Sequence, residues 1–239
     1  DGAGGTASAT ATIAMTEAND PPVLDLNGAA AGTGFSAAYV EDAAAVAIAA
    51  PGLTLVDPDS VNLANGATAA IVNLIDAGDE ILAATAPAGI TVSYTAATGI
   101  LTLSGVAPVA DYQAALRTLT YRNQSQNPST TARTITVSVN DGAGGSDSET
   151  ATVTVTALND APVLDLNGPN AGIDMDVQSL YVEGAPAQIV TIAGVQIADP
   201  DSPTLAGAAI VLQNRPDGAA EILAVNADAA ASYGIAVTA

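Results

Sequence analysis

The sequence predicts an all-β protein built of tandem Greek-key β-sandwich domains, stacked end to end, each with one short helix. Three observations predict this fold: a long internal repeat, segments in which apolar and hydroxyl side chains alternate, and frequent Gly and Pro turn signals. Hydrophobic residues make up 49% of the chain. A domain-sized unit of this composition can therefore bury a core of its own.

The repeat is clearest in the string Asn-Asp-Ala-Pro-Val-Leu-Asp-Leu-Asn-Gly at 159–168, which nearly copies the string at 19–28. The offset is 140 residues, and four further landmarks recur in the same order at offsets of 140 to 142. A unit of this length is an ordinary single domain. The landmarks are Asp-Gly-Ala-Gly-Gly at 1–5 and 141–145, Tyr-Val-Glu at 39–41 and 181–183, Asp-Pro-Asp-Ser at 57–60 and 199–202, and Glu-Ile-Leu at 80–82 and 221–223.

The repeat predicts three segments along the chain. Residues 1–19 form the C-terminal strand of a preceding repeat, residues 20–159 a complete repeat, and residues 160–239 the N-terminal part of the next. We therefore expect the chain to be an excerpt of a longer tandem array.

Alternation with period two predicts the strands inside the repeat. It is seen at 90–95 and at 134–139. In the second segment, Ile135, Val137 and Val139 are expected to face inward, and the Thr and Ser residues between them outward. The segment 150–156 alternates in the same way, and its counterpart at 7–17 is predicted to be a strand as well. One short helix is predicted at 111–116, with Asp111 as its N-cap. Proline in each Asn-Asp linker excludes helix and stiffens the joint between units.

Composition excludes several classes of function. The chain has 25 acidic and 4 basic residues, a formal net charge of −21. Such a charge repels nucleic acid and anionic membrane surfaces, so neither is an expected partner. The sequence contains no Cys, His or Lys, which excludes disulfides, imidazole metal sites and a Ser-His-Asp triad. No apolar run reaches the roughly 18 residues that a membrane-spanning helix needs.

The acidic residues recur at the repeat landmarks. The Asp-Pro-Asp-Ser sequence places two carboxylates two residues apart, the linker adds Asn and Asp, and Asp141 precedes a Gly-rich turn. Calcium takes six to eight oxygen ligands from carboxylates, Asn side chains and backbone carbonyls. Each motif taken alone fits an ordinary turn. Their repetition at one spacing, at the joints, predicts bound Ca²⁺ there.

The end of the repeat resembles that of a cadherin domain. Val-Ser-Val-Asn-Asp-Gly at 137–142, Thr-Val-Thr-Val at 152–155 and Asn-Asp-Ala-Pro at 159–162 follow the cadherin order of a strand ending in Asp, a Gly turn, a last strand and an Asn-Asp-x-Pro linker. With its other landmarks and the helical segment at 110–116, the whole unit resembles the cadherin-like, Ig-like β-sandwich repeats of large bacterial RTX-type surface adhesins. Three departures are a linker without the second Asn, a Pro between the paired acids, and no Asp-Arg-Glu motif.

The resemblance assigns the calcium ligands to joints. Asp111 could be either a calcium ligand or a helix cap. Asp25 and Asp165 could be either calcium ligands or turn residues. The ligands implied are Asn19, Asp20, Asp57, Asp59 and Asp141 at the first joint, Glu41, Asn159, Asp160, Asp199 and Asp201 at the second, and Glu183 at a third joint outside the chain.

The resemblance implies a calcium-rigidified extender repeat of a secreted bacterial cell-surface adhesin. Such a repeat spaces a distal binding domain from the cell and supports adhesion and biofilm formation, with neighbouring repeats of the same chain as its partners. One alternative is a structural subunit of an extracellular filament or surface layer, in which other copies would be the partners. Another is a carbohydrate-binding module, although the sequence has no Trp and one Phe for an aromatic platform. An enzyme is not expected, because the joints account for the acids.

Overall fold

The computed structural model describes residues 2–4, 6–168, 176–191, 194–225, 230 and 236. The chain divides into two compact units, Asp1–Asp201 and Ser202–Ala239. The described residues of the second unit contain one 3₁₀ helix, Gly218–Ala220, and no strand. No helix in the described ranges has the length and apolarity that crossing a bilayer requires.

The first unit contains fifteen strands and one α-helix among its described residues. In chain order they are β1 (Val23–Asp25), β2 (Phe35–Val40), β3 (Val46–Ala47), β4 (Thr54–Val56), β5 (Asn62–Leu63), β6 (Gly66–Ile71), β7 (Glu80–Ala83), β8 (Thr91–Thr95), β9 (Ile100–Ser104), β10 (Ala107–Pro108), α1 (Val109–Leu116), β11 (Thr120–Asn123), β12 (Arg133–Asn140), β13 (Ser146–Thr156), β14 (Val163–Asp165) and β15 (Gln196–Ala198).

Six of these strands form the large sheet, in the order β2-β13-β12-β6-β9-β8. All its pairs are antiparallel except β13 with β2, which is parallel. On β12, Ile135, Val137 and Val139 are buried as predicted. The opposite face carries a row of hydroxyl side chains in register across five strands, and the Ser138 and Ser148 hydroxyls lie 2.7 Å apart. Period-two alternation thus separates an apolar face from a hydroxyl-rich one.

Shorter strands supply the other side of the core. They form a three-stranded sheet, β3-β11-β7, and the pairs β1-β4 and β5-β10. Leu24 of β1, Leu55 of β4 and Tyr121 of β11 are buried in one cluster with the inward residues of β12 and β13. The predicted all-β sandwich with one short helix is confirmed.

Helix α1 begins earlier than predicted. It spans Val109–Leu116 and its N-cap is Pro108, which makes no side-chain cap hydrogen bond. The prediction that Asp111 caps the helix is therefore wrong: proline ends β10 in an extended conformation, and Asp111 lies in the first turn, where its charge favours the helix dipole. The Oε1 atom of Gln113 accepts a hydrogen bond from Leu55 N at 3.0 Å. Helix α1 thereby holds β4, which leads into Asp57.

The predicted strand at 7–17 does not form. These residues are exposed and lie outside every strand. No described strand pairs with them. Strand β13, which contains the counterpart segment one repeat later, is hydrogen-bonded on both edges, by β12 and by β2. Beyond the second linker, β14 pairs with β15 in the register that β1 has with β4. The division of the chain into repeats stays a prediction.

A buried ion pair ties the ends of β7 and β12 together. Arg133 is fully buried; its Nε donates to Glu80 Oε1, and its Nη2 donates to Asp76 Oδ2 at 2.6 Å. The Tyr121 hydroxyl donates to the same Glu80 oxygen at 2.8 Å, and its pKa is raised by burial first and then by Glu80. Glu80 Oε2 accepts the backbone amides of residues 75 and 76, both at 3.1 Å. The whole charge pair is therefore enclosed by hydrogen bonds.

Candidate cation-binding joints

The first linker touches the predicted acidic loops through two adjacent residues. Asn19 Nδ2 donates to Asp141 Oδ2 at 2.8 Å, and Asp20 N donates to Asp59 Oδ2 at 2.9 Å. Within the Asp-Pro-Asp-Ser loop, Asp57 Oδ1 accepts the amides of Asp59 and Ser60 at 3.2 and 2.7 Å. Asp57 Oδ2 is buried and has no hydrogen-bond partner. The residues assigned to the first joint are therefore brought together around the linker.

Asp141 acts as a clamp in this arrangement. Its side chain is buried, and Oδ1 accepts the amides of Ala143 at 2.7 Å and Gly145 at 2.9 Å. The hydrogen bond from Asn19, followed by those from the backbone amides, lowers the pKa of Asp141 below its usual value, against the opposing effect of burial. Asp141 thus stays ionised and fixes the linker to the turn after β12.

The second linker repeats the central contact of the first. Asp160 N donates to Asp201 Oδ2 at 3.1 Å, as Asp20 N does to Asp59. Asp201 N in turn lies 3.3 Å from Asp199 Oδ1, and Asn159 Nδ2 donates to the Asp160 carbonyl at 2.8 Å. In both linkers, the backbone amide of the linker Asp is held by the second carboxylate of the Asp-Pro-Asp loop.

Glu41 reaches the second linker from β2. It directly follows this strand and is 2% exposed. Its Oε2 accepts the Leu158 amide at 2.7 Å, while Oε1 is buried and has no hydrogen-bond partner. A buried carboxylate oxygen without a partner is costly unless something compensates its charge.

Like charges at the second joint act on Asp160. Burial, followed by the charges of Asp42, Asp201 and Asp199, raises the pKa of Asp160. The pKa of Asp201 moves the other way, because a hydrogen bond shared with the Asp199 side chain and one from the backbone amide of Asp160 favour its charged form. One oxygen of Asp160 and one of Asp201 are buried without a hydrogen-bond partner. The joint thus concentrates negative charge that the described residues do not neutralise.

Asp160→Asn is expected to raise the melting temperature of the calcium-free chain at pH 7. The folded-state pKa of Asp160 lies above its unfolded value, so its ionised form opposes folding above that pKa. This penalty disappears as the pH falls below the ordinary Asp value. Melting curves of both chains in chelator from pH 7 to pH 3 should therefore converge at the acidic end. A variant that melts below the wild type at pH 7 would contradict this electrostatic account.

The donor set fits a hard cation. The groups that converge on each linker are carboxylates and an Asn side chain, and the chain has no His or Cys; all-oxygen donor sets suit Ca²⁺ and Mg²⁺. Glu41, Asp160 and Asp201 each have one buried carboxylate oxygen without a hydrogen-bond partner, and a cation could compensate the charge of these oxygens. The coordination shell is not preassembled: among the described residues, no group of three or more acids stands ready to hold a metal ion.

One further predicted ligand, Glu183, and two acids whose role was left open, Asp25 and Asp165, complete the set. Glu183 is exposed. Asp25 and Asp165 act in turns, each accepting two backbone amides on Oδ1, from residues 27 and 28 and from residues 167 and 168.

Two acids near the joints were not predicted from the sequence. Asp147 Oδ2 accepts the Leu24 amide at 2.7 Å and so fastens β1 to β13 just after the first linker. Asp42, whose charge acts on Asp160, directly follows a predicted ligand, Glu41, and this adjacency was the available signal.

Comparisons with known proteins found similarity to solved structures. No family model matches the sequence, and no curated protein matches it. Among solved structures, the human desmocollin-1 ectodomain is similar to 63% of this chain at 12% sequence identity, with a TM-score of 0.24. The chain spans about a quarter of the length of that ectodomain, 25%.

Proposed function

We propose that this chain is a calcium-rigidified extender segment of a bacterial cell-surface adhesin, spacing a distal binding domain from the cell. The observation that carries the proposal is the repeated joint contact. The amide of Asp20 donates to Asp59 Oδ2 at 2.9 Å, and the amide of Asp160 donates to Asp201 Oδ2 at 3.1 Å. The two linker residues, Asp20 and Asp160, are 140 positions apart in the sequence and make the same interaction.

Charge explains why the joints need a cation. Several carboxylates lie around each linker, in a chain with a net charge of −21, and their mutual repulsion favours an open linker. A divalent cation replaces that repulsion with attraction, and it satisfies the buried oxygens of Glu41, Asp160 and Asp201. The side chains would close around the ion on binding, which couples calcium to the rigidity of the linker.

The free calcium concentration of a compartment determines whether such joints are occupied there. Extracellular calcium modules bind with dissociation constants of about 10⁻⁴ to 10⁻³ M. Such sites would fill outside a cell and stay empty in cytosol. We therefore propose a secreted, surface-exposed location, in which an array of filled joints holds its far end away from the cell.

Calcium is expected to raise the melting temperature of the 239-residue chain relative to chelator. Each tenfold excess of free calcium over the dissociation constant adds about 1.4 kcal/mol of stability per site. Small-angle scattering of the same samples should give a larger radius of gyration with calcium. Asp59→Asn and Asp201→Asn should each remove part of the calcium response. Asp79→Asn is the matched control, since this exposed acid makes no side-chain hydrogen bond or ion pair with the described residues of either linker.

Two results would refute the proposal. One is a melting curve that is identical in calcium and chelator. The other is a calcium response that Asp79→Asn reduces as much as Asp59→Asn or Asp201→Asn does, since this would indicate general screening of the acidic surface.

A further inference from the structure

We propose that strand β8, at one edge of the large sheet, is a self-association site that pairs antiparallel with β8 of a second copy of this chain. The proposal goes beyond calcium binding and uses none of the residues assigned to the joints. Three features of β8 carry it: a backbone that is unpaired along one side, an apolar face that is incompletely covered, and surroundings in the sequence that contain no charge.

The backbone of β8 is bonded to a described strand on one side only. Thr91–Thr95 pairs with β9 over five consecutive residues without a bulge, and β8 ends the strand order of the large sheet. Among the described residues, its backbone hydrogen bonds go to β9 and to the turn at 98–99. Natural proteins usually block such an edge with charge, proline or a bulge. Strand β8 has none of these, so its outer side is open to another strand.

The core-facing side chains of β8 are incompletely covered. Val92 and Tyr94 pack against the core but remain half-buried. Their cross-strand partners on β9, Leu103 and Leu101, are 0% and 1% exposed. The difference arises because β9 has a strand on both sides and β8 does not. A strand added beside β8 would cover the remaining apolar surface, and removing that surface from water favours association.

Charge favours a second copy of this chain as the occupant. Residues 81–110, which include β8 and β9, contain no charged residue, although the chain carries a net charge of −21. Two copies repel each other wherever their acids meet, so an uncharged edge is where they can approach closely. A partner of positive charge would be attracted to the acidic surfaces instead. The strand at the other end of the sheet, β2, is followed directly by Glu41 and Asp42, whose charges oppose such an approach.

The two faces of β8 also match those of its own copy. Val92 and Tyr94 lie on the core-facing side, and the Thr and Ser residues that alternate with them are exposed on the hydroxyl-rich side. This alternation is symmetric about Ser93, so an antiparallel pair centred there brings apolar side chains together on one face and hydroxyls on the other. The contact closes as a two-fold dimer. It is small, so the dimer should dissociate on dilution.

Sedimentation equilibrium of the 239-residue chain in chelator, over a range of protein concentrations, tests the proposal. We expect a monomer–dimer equilibrium that strengthens when salt is added, because screening weakens the repulsion between acidic copies. Ser93→Glu should weaken dimerisation about fivefold, since like charges then lie opposite each other across the strand pair. Ser36→Glu is the matched control, because Ser36 is an exposed serine of β2, at the opposite end of the same sheet.

A charge-reversal pair tests whether β8 meets itself. Ser93→Lys alone places two positive charges opposite each other, whereas an equimolar mixture of Ser93→Lys and Ser93→Glu places opposite charges there. The mixture should therefore dimerise more tightly than either variant alone. Melting curves of these variants should match that of the wild type, because Ser93 is exposed.

Three results would overturn the proposal: a chain that stays monomeric at every concentration, a Ser36→Glu effect as large as that of Ser93→Glu, or a mixture that dimerises no more tightly than its components. Since every sample contains chelator, none of these results bears on the calcium joints. Conversely, a chain whose melting does not respond to calcium would refute the proposed function and leave the pairing of β8 standing.

Discussion

Replacing Arg133 with methionine is expected to destabilise the sandwich by about 3–5 kcal/mol, the usual cost of removing one partner from a buried ion pair. Arg133 and Glu80 are both fully buried. Without the guanidinium, the Glu80 carboxylate keeps the Tyr121 hydroxyl at 2.8 Å and two backbone amides but loses its counter-charge. Asp76 also loses its ion pair.

Chemical unfolding followed by far-ultraviolet circular dichroism at pH 7 measures this cost. Arg122→Met is the matched control, because Arg122 is exposed on β11 and should cost less than about 0.5 kcal/mol. Adding Glu80→Gln to Arg133→Met should recover part of the loss, since the uncompensated buried charge is then removed. A cost below about 1 kcal/mol for Arg133→Met would contradict the view that this pair is a closed, desolvated unit.

Gly145→Ala is expected to destabilise the sandwich by about 1–3 kcal/mol, the typical cost of overpacking, and to loosen the first joint. A Cβ atom at this position would lie 2.2 Å from Asp141 Oδ2, 2.7 Å from Pro21 Cα and 3.0 Å from Asn19 Nδ2. The methyl group must therefore displace either the clamp carboxylate or the linker backbone. Gly145 does not have a positive φ, so the substitution tests this contact without adding backbone strain.

Gly52→Ala is the control for Gly145→Ala. A Cβ atom at Gly52 meets nothing within 4 Å, and this residue also lacks a positive φ. Thermal melting of both variants, with and without calcium, should show a loss of stability for Gly145→Ala alone. It should also show a reduced calcium response at the first joint. If the two alanine variants melt alike, the turn after β12 does not depend on close approach of the linker.

Features that local chemistry controls could be predicted from the amino-acid sequence. Alternation of Ile, Val and Thr over 134–139 predicted the buried and exposed faces of β12, because successive side chains of a strand point to opposite faces. The Asn-Asp linkers and Asp-Pro-Asp loops were recognisable from their repetition. The structure places the Asp20 amide beside Asp59 Oδ2 and the Asp160 amide beside Asp201 Oδ2, and the assignment of these residues as calcium ligands stays a prediction.

Contacts between residues far apart in the sequence could be seen only in the folded chain. Arg133 and Glu80 are 53 residues apart and meet because β7 and β12 begin at the same buried place. The segment 7–17 has the alternation of a strand and forms none, since a strand needs a hydrogen-bonded neighbour that its own residues do not encode. In each case the local pattern limits what a residue can do, and the long-range contacts that bury, pair or repel it decide what it does.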